Sequence, residues 1–423
     1  MIHQNENSRG RRFFRWTCPE FACQDCLDLL CQEGFRFSRV PEVPGAWVEL
    51  EGPFALGGSL ANYLGLMYIQ DLASMLPALL LNPCRGSRVL DMCASPGGKT
   101  AQLSEMSGES GLVIANEPNS RRYETLRANV TRLNLVNVAI TGYEGQDLPA
   151  KDILFDYILV DAPCSGWGTA DKHPEVLKIW TEERTGPLTE LQKKLLISAS
   201  DLLAPGGTLV YSTCTTNEQE NRKQVEQILE RSDLIASQRA ENMHRELALQ
   251  GLHPAGEGML NFDGREMGAQ SFFMAALEKP GRMKQITDMN ASPPRNWEPV
   301  DPGVLRIGEK PRYAGFYVFR DRMFVLPHKV LPYVRQGLKV RGYYAGKRTR
   351  SKYLLSPRLR VFGDQDSEKG YRVHTVQEVR RIISGQSIYP SQCAEVAQIG
   401  FYWKELFLGR LKVSRGRAFW SEK

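Results

Sequence analysis

The stretch "VLDMCASPGGKT" (residues 89–100) decides the fold class, because it joins an apolar run to a glycine-containing turn and then to a helix-like segment. The same alternation of apolar runs and helix-like stretches continues to residue 214. We predict strands at residues 88–92, 111–117, 138–141, 156–162 and 207–214, with helices at 119–135 and 189–203. This pattern predicts an α/β fold with a parallel sheet covered on both faces. Ligands bind such sheets beyond the carboxyl ends of the strands.

The rest of the chain divides into three parts around this sheet. Helix-like segments upstream predict a helical N-terminal module at residues 1–84, packed against a sheet domain at residues 85–280. Residues 281–303 are rich in Pro, Asn and Asp and are predicted to be a linker. Residues 304–423 hold short strand-like runs, turns, and many basic and aromatic residues, so we predict a small, separate C-terminal domain there.

The composition of the 423-residue chain is that of a folded soluble protein, with 42% hydrophobic residues and a formal net charge of +6. A run of about twenty apolar residues is absent, and the N-terminus lacks the apolar segment of a signal peptide. Nine cysteines without a regular framework fit a reducing compartment better than a secreted disulfide scaffold. We therefore expect a cytoplasmic protein that does not contact a membrane.

The turn after the first strand predicts a ligand site. Its glycines let a ligand approach the backbone, and the following helix offers free N–H groups to a negatively charged group. The turn matches neither the phosphate-binding G-x-x-x-x-G-K-[ST] loop nor the dinucleotide-binding G-x-G-x-x-G motif. Glu117, twenty residues after Gly97, ends the next predicted strand, where its carboxylate could accept both ribose hydroxyls of a nucleoside. An ordinary tight turn followed by a surface acid is the alternative.

Two cysteines follow predicted strands, Cys164 in "LVDAPCSGWGT" and Cys214 in "LVYSTCTTNEQEN". Parallel strands end at the same edge of a sheet, so both thiols are expected to point into one crevice. A small buried side chain, a metal ligand and a nucleophile all remain open for each of them. The residues alone do not rank one thiol above the other.

Four motifs in order give a family resemblance: "DMCASPGGKT", "ANEPNSRR", "DAPCSGWGT" and "STCTTNEQEN". They resemble the Sun (Fmu-type) RNA (cytosine-5)-methyltransferases, which use S-adenosylmethionine and have a Rossmann-like sheet. The likeness covers about residues 20–280. Near the C-terminus, "GQSIYP" and "GRLKVSRGRAFW" further resemble the extra domain of the bacterial 16S ribosomal-RNA members of the F type. This second likeness implies a PUA-like, α+β or β domain that binds RNA.

The resemblance implies a role for each motif residue. Glu117 would hold the ribose, and Asp161 would lie beside the methionine moiety and the target base. Glu144 would meet the adenine, at a position where the family more often has Asp. The amino-acid end of the cofactor would be wrapped by the loop residues Cys93, Ala94, Ser95, Pro96, Gly97, Gly98 and Lys99.

Methylation of cytosine C5 explains why two thiols would be needed. C5 becomes nucleophilic only after a thiolate adds to C6, and the adduct must later expel that thiolate. Following the RNA family resembled here, we assign Cys214 as the nucleophile and Cys164 as the residue that aids release. Asp161 would hydrogen-bond N3 of the base while the adduct forms. DNA cytosine methyltransferases use the Cys of the Pro-Cys motif instead.

A second group of cysteines lies near the N-terminus, at Cys18, Cys23, Cys26 and Cys31. Their spacing matches no standard zinc or iron–sulfur site, and residues 23–35 have the pattern of one amphipathic helix. We therefore predict a helix with partly buried thiols and no metal.

The segment Lys329–Arg360 contains ten Lys or Arg residues and no Asp or Glu, with tyrosines between them. Basic residues pair with phosphates and aromatic rings stack on unpaired bases, so this pattern favours RNA binding. A solvated charged face is the alternative.

These observations lead to one functional prediction and its rivals. We predict a monomeric S-adenosylmethionine-dependent RNA (cytosine-5)-methyltransferase whose partner is ribosomal RNA, either free or within a ribosomal subunit. The same reaction on tRNA is one alternative, and an inactive RNA-binding factor on the same fold is another. A nicotinamide-dependent oxidoreductase is disfavoured because the G-x-G-x-x-G motif is absent.

Overall fold

The computed structural model describes the chain except for residues 1–10, 18–22, 150–152, 172, 283–292, 294–295, 351, 391–395 and 423. Among the described residues, none of the helices combines the length and the apolar character needed to cross a bilayer. The architecture is a large mixed sheet flanked by helices, with a smaller sheet before it and two smaller sheets after it.

The N-terminal module contains helices, as predicted, but also a four-stranded sheet in the order β2-β3-β1-β4. Its elements are β1 (Phe13–Trp16), α1 (Cys23–Gln32), β2 (Arg36–Arg39), β3 (Ala46–Glu51), α2 (Leu60–Tyr63) and β4 (Met67–Ile69). The helical module predicted for residues 1–84 therefore also contains strands, which the sequence analysis did not predict. The stretch "MYIQDLASMLPALLL" (residues 67–81) forms a strand and then a helix. Residues 67–69 pair with β1 as β4, and the side chain of Asp71 caps the helix that follows by accepting from the N–H of Ala73.

The central domain carries the predicted α/β sheet. Its elements are α3 (Leu72–Leu81), β5 (Arg88–Asp91), α4 (Gly98–Ser107), β6 (Leu112–Asn116), α5 (Ser120–Arg132), β7 (Val138–Thr141), β8 (Phe155–Asp161), α6 (Val176–Ile179), α7 (Gly186–Leu202), β9 (Leu203–Thr213), α8 (Arg222–Arg231), β10 (Ile235–Ala236), α9 (Arg239–Leu247), β11 (Leu252–Gly256), β12 (Met259–Phe262) and β13 (Phe272–Glu278). The strand order is β11-β12-β13-β9-β8-β5-β6-β7, and β10 pairs with β13.

All five predicted strands are present. β7, β6, β5, β8 and β9 run parallel, and β13 joins β9 in the antiparallel sense. These strands are buried almost throughout, since helices cover both faces of the sheet. The carboxyl ends of β5, β6, β8 and β9 therefore meet at one edge, where the predicted site residues lie.

The C-terminal part forms two sheets, which the single domain predicted for 304–423 did not anticipate. The first sheet and its helix comprise β14 (Glu298–Val300), β15 (Ala314–Phe319), β16 (Arg322–Pro327), α10 (Leu331–Arg335), β17 (Tyr343–Arg348) and β18 (Tyr353–Leu355). The second comprises β19 (Tyr371–Val373), α11 (Val376–Ile383), β20 (Gln398–Trp403), β21 (Leu406–Ser414) and β22 (Arg417–Phe419). β14 lies inside the predicted linker of residues 281–303, and residues 283–292 and 294–295 of that linker lie outside the described residues.

The two C-terminal sheets pack on the preceding parts of the chain and are not separated from them. Tyr333 stacks on Phe155 with 5.1 Å between ring centroids, and Arg341 forms a β-bridge with Ile140 of β7. The second sheet shares a buried apolar cluster with the N-terminal module. The prediction of a separate C-terminal domain was wrong in this respect, because composition does not reveal apolar contacts between distant segments.

Three residues of the basic run anchor this packing. Lys329 donates to the carbonyl of Gly86, and Arg358 donates to the carbonyl of Tyr63 over 2.7 Å. Arg360 donates to the carbonyl of Leu64. These side chains satisfy backbone carbonyls of the central and N-terminal parts, so their role in the structure is to hold the C-terminal part in place. The side chains of the run that are exposed to solvent include Lys339, Lys347, Arg350 and Lys352.

Candidate active site

The predicted cofactor loop links β5 to α4 in a shape that only glycine allows at two positions. Gly97 has a φ of 111°, in the left-handed region that favours glycine. A Cβ atom on Gly98 would lie 2.6 Å from a ring carbon of Tyr68. The loop therefore passes close to the N-terminal module and enters α4 with its backbone facing the edge of the sheet.

Neighbouring elements hold the loop in this shape. The hydroxyl of Ser95 donates to the carbonyl of Arg122 over 2.9 Å, and the side-chain amide of Asn129 donates to the carbonyl of Pro96 over 2.9 Å. The N–H of Ala94 donates to the carbonyl of Asn116. The side chain of Ser95 is thus engaged with α5, and a ligand would meet the backbone at this position.

Lys99 and Asp161 form a largely buried ion pair, although the two were assigned to different motifs. The ammonium of Lys99 lies 2.8 Å from Oδ2 of Asp161, donates to the hydroxyl of Ser74 over 2.7 Å and sits 5.0 Å from the centre of the Phe272 ring. The other oxygen of Asp161 accepts from the hydroxyl of Ser212 over 2.8 Å. These bonds fix the orientation of the Asp161 carboxylate at the end of β8.

The two predicted catalytic thiols meet as expected. The sulfur atoms of Cys164 and Cys214 lie 3.3 Å apart, within hydrogen-bond distance for sulfur. The hydrogen bond from the Cys164 thiol lowers the pKa of Cys214, and the nearby ammonium of Lys99 lowers it further against the opposing effects of burial and of Asp161. The same hydrogen bond raises the pKa of Cys164. Cys214 is therefore the thiol whose ionised form the site favours.

Acidic side chains surround the end of β5. Burial raises the pKa of Asp91 to about 7, while one of its oxygens accepts from the hydroxyl of Thr100 over 2.7 Å. Its other oxygen is buried without a hydrogen-bond partner among the described residues. Burial first, and then the charges of Asp91, Asp161 and Glu117, raise the pKa of Cys93. The cofactor loop, the predicted ribose acid and the predicted catalytic acid thus face one region.

Glu117 lies just beyond the end of β6 and is only 3% exposed. One carboxylate oxygen accepts from the N–H of Asn119 over 3.0 Å, and the other lies 3.2 Å from Nε of Arg122. The role of Glu117 in holding two ribose hydroxyls stays a prediction. Glu144, in contrast, is exposed in the loop after β7, and the structure does not bring it into hydrogen-bond contact with the other predicted site residues that it describes.

Three side chains at this edge were not predicted from the sequence. Ser74 and Ser212 hold the Lys99–Asp161 pair, and Glu220 binds the loops that carry the two thiols. Glu220 lies in the quoted "STCTTNEQEN" motif, but a charged residue in a polar segment gives no sign that it will be buried. These contacts join residues far apart in the chain, so the sequence pattern around each residue does not show its partner.

A metal centre is not formed by the residues that the structure describes, among which no cluster of three or more His, Cys, Asp or Glu side chains could hold an ion. Of the N-terminal cysteines, Cys26 is buried and Cys31 is exposed, both on α1. Cys18 and the side chain of Cys23 lie outside the described residues.

Comparison with known proteins supports the assignment of the fold and the motifs. The family model described as 16S rRNA methyltransferase RsmB/F matches residues 78–278. The ribosomal RNA small subunit methyltransferase F of Klebsiella pneumoniae is 41% identical over 227 residues, which are 52% of this chain and 48% of that protein. The protein of the same name from Salmonella heidelberg is 42% identical over 219 residues, which are 50% of this chain and 46% of the relative. The chain spans about half the length of these relatives.

Solved structures show the same fold. A methyltransferase homolog protein from Pyrococcus horikoshii is 28% identical, with a TM-score of 0.55 over 64% of this chain and 87% of that chain. NSun6 from the same organism is 21% identical, with a TM-score of 0.56 over 64% of this chain and 91% of that chain. The prediction of a Rossmann-like methyltransferase sheet is confirmed. Residues 78–278 match the model of the 16S rRNA methyltransferase RsmB/F family, in agreement with the resemblance of the four motifs to the Sun family.

Proposed function

We propose that this protein transfers a methyl group from S-adenosylmethionine to C5 of a cytosine in ribosomal RNA. The observation that carries the proposal is the pair of thiols, Cys164 and Cys214, 3.3 Å apart beside the buried Lys99–Asp161 ion pair. The names of the relatives support ribosomal RNA of the small subunit as the substrate. We also propose a cytoplasmic location, because the nine cysteines form no regular disulfide framework in the sequence.

The residues at the sheet edge fit the proposed cofactor. The loop at Cys93–Gly98 follows the carboxyl end of β5, where the left-handed backbone of Gly97 leaves no side chain between the loop and a ligand. Glu117 offers a buried carboxylate to ribose hydroxyls. Asp91 has a buried oxygen free of partners among the described residues, next to the loop. When bound, S-adenosylmethionine supplies an electrophilic methyl group on a positively charged sulfur. The assignment of Glu144 to the adenine rests on the family resemblance, and the exposed position of its side chain adds nothing to it.

Cys214 begins the proposed reaction. Its thiolate adds to C6, the C5–C6 double bond opens, and C5 gains the electron pair with which it accepts the methyl group. Asp161 would act in its protonated form and donate its proton to N3 as the thiolate adds, with its orientation fixed by Lys99 and Ser212. The nearby ammonium of Lys99 also favours the ionised form of Cys214, as its effect on the pKa of that thiol indicates.

Cys164 would act at the end of the reaction. Loss of the C5 proton to water restores the double bond when the bond between C6 and the sulfur of Cys214 breaks. The departing sulfur becomes a thiolate, and the thiol of Cys164 lies close enough to donate a hydrogen bond to it. The target base must leave its stack to reach both sulfurs, so a loop or a partly assembled RNA is the expected substrate.

A labelling experiment tests this function. Purified protein is incubated with tritiated S-adenosylmethionine and with either 16S ribosomal RNA, small subunits or tRNA, and nucleosides are then separated. We expect label in 5-methylcytidine from ribosomal RNA or subunits. Label in 5-methylcytidine from tRNA alone would move the assignment to tRNA. Absence of labelled nucleoside from all three substrates, with S-adenosylmethionine bound, would favour the inactive RNA-binding factor.

A further inference from the structure

Glu220 is a fully buried acid, with 0% of its surface exposed, and it lies between the two loops that carry the thiols. Its carboxylate accepts four hydrogen bonds from uncharged donors. They come from the N–H of Ser165 over 2.9 Å, the hydroxyl of Ser165 over 2.5 Å, the side chain of Gln192 over 3.0 Å and the side chain of Asn217 over 3.1 Å. Four donors at these distances satisfy the carboxylate without a cation.

The donors belong to the segments that position the sulfurs. Ser165 is adjacent to Cys164, and Asn217 lies three residues after Cys214. Gln192, on α7, donates to the carbonyl of Pro163 over 2.8 Å as well as to Glu220. Glu220 therefore joins the loop after β8, the loop after β9 and the helix α7 through one carboxylate.

The backbone of Glu220 takes part in a separate contact. Its carbonyl accepts from the hydroxyl of Tyr211 over 2.6 Å. This bond attaches residue 220 to β9 and leaves the carboxylate free for the loops. A substitution of Tyr211 therefore removes only the bond to the backbone of Glu220, whereas a substitution of Glu220 changes the bonds made by its carboxylate.

A buried charge held only by neutral donors is an expensive way to stabilise a core. A well-packed apolar residue of similar size usually stabilises a fold as well or better. The gain from a carboxylate here is geometric, because a single group with several acceptor sites orients three segments at once. That geometry bears directly on the distance between the two sulfurs.

We propose that Glu220 is a positioning residue that clamps the Pro163–Ser165 loop to the Cys214 loop and so keeps the two sulfurs within hydrogen-bond distance. Only the expected effect of the clamp on catalysis rests on the proposed function. The clamp itself is a property of the folded protein and can be measured without RNA.

Loss of the clamp has a predictable direction. The groups that act on the thiol of Cys214 are Cys164 from the loop after β8, Asp161 at the end of β8 and Lys99 from α4. Without the clamp, Cys164 is no longer held as a donor, so the pKa of Cys214 should rise. Removing the negative charge of Glu220 would by itself lower the pKa of a nearby thiol. A rise therefore reports lost positioning and cannot come from the lost charge.

The test is the alkylation of Cys214 by iodoacetamide in the full-length protein, followed by mass spectrometry of the peptide across pH 5 to 10. Glu220→Gln keeps the shape of the side chain but replaces one acceptor oxygen by a donor. We expect the midpoint for Cys214 to rise by about one pH unit, with about a tenfold slower alkylation at pH 7. Tyr211→Phe is the matched control, since it removes a buried bond to residue 220 but spares the carboxylate, and its midpoint should equal that of the wild type.

Circular dichroism and binding of S-adenosylmethionine establish that each variant is folded. If Glu220→Gln does not fold, Ser165→Ala replaces it, because it removes one donor to the carboxylate and should raise the midpoint by a smaller amount. Ser165→Ala also removes the hydrogen bond between the hydroxyls of Ser165 and Thr215, so its control is Thr215→Val, which removes that bond, spares the carboxylate and should leave the midpoint unchanged. A folded variant with an unchanged or lowered midpoint would overturn the clamp. The proposed function would be untouched by that result, because methyl transfer by the wild type is measured separately.

Discussion

The sulfur atoms of Cys164 and Cys214 lie 3.3 Å apart, although the two residues are fifty positions apart in the chain. β8 and β9 run parallel and adjacent, so the loops that follow them meet at the same edge of the sheet. The hydrogen bond between the thiols makes them unequal, since it lowers the pKa of Cys214 and raises that of Cys164. This inequality supports a nucleophile and a helper in place of two equivalent cysteines.

Glu117 should control affinity for S-adenosylmethionine. A buried carboxylate that accepts two ribose hydroxyls makes charge-assisted bonds worth roughly 1.5–3 kcal/mol each. Glu117→Ala should therefore raise the dissociation constant measured by calorimetry at least about tenfold. Glu124→Ala, which removes an exposed acid from α5, serves as the control and should leave the constant unchanged. Equal constants for both variants would place the ribose elsewhere.

Lys99 and Asp161 should stabilise the fold only as a pair. Lys99→Met leaves the carboxylate of Asp161 without its ammonium partner, which typically costs about 3–5 kcal/mol for a buried ion pair. Because Asp161 is partly exposed, we expect the lower end of that range in urea unfolding. The double variant Lys99→Met and Asp161→Asn should recover part of the loss. Additive losses from the two single changes would contradict the pairing.

Asp91 should make the stability of the protein depend on pH. Its pKa, raised by burial to about 7, lies above that of an unfolded aspartate, so the folded state holds a proton that the unfolded state has lost. Asp91 therefore does not lower the free energy of unfolding below about pH 4, and it lowers that free energy increasingly as the pH rises to about 7. The Asn side chain of the Asp91→Asn variant cannot ionise. The melting temperature of the variant minus that of the wild type should therefore be larger at pH 8 than at pH 5. A difference independent of pH would show that Asp91 titrates normally.

The basic run should divide into anchors and RNA contacts. Arg350→Ala with Lys352→Ala removes two exposed charges, and we expect weaker RNA binding with a salt dependence reduced by about 0.7 per charge. Arg360→Ala should instead lower the free energy of unfolding by about 1–3 kcal/mol, because it removes the side-chain donor to the carbonyl of Leu64. If the double variant at Arg350 and Lys352 bound RNA with an unchanged salt dependence, these two side chains would not contact the RNA.

The sequence predicted the sheet edge well, because apolar strands followed by motif residues leave a clear pattern. Parallel order then brings Asp161, Cys164 and Cys214 together without further information. The N-terminal sheet was missed because its strands are only three to six residues long, and β2 ("RFSR") is mostly exposed and lacks an apolar run. Glu220 was overlooked, and the pairing of Lys99 with Asp161 was not predicted, because each of these contacts joins residues many positions apart in the chain.

The assignment of roles to the two thiols is the central claim, and denaturing gel electrophoresis of three variants with labelled RNA tests it most directly. Cys214→Ala should form no covalent complex and transfer no methyl group, since the addition to C6 is lost. Cys164→Ala should still add to the base and accept the methyl group at C5, but release is impaired, so a protein–RNA adduct should accumulate. The double variant should form no adduct. An adduct with Cys214→Ala and none with Cys164→Ala would contradict the assignment and exchange the roles of the two cysteines.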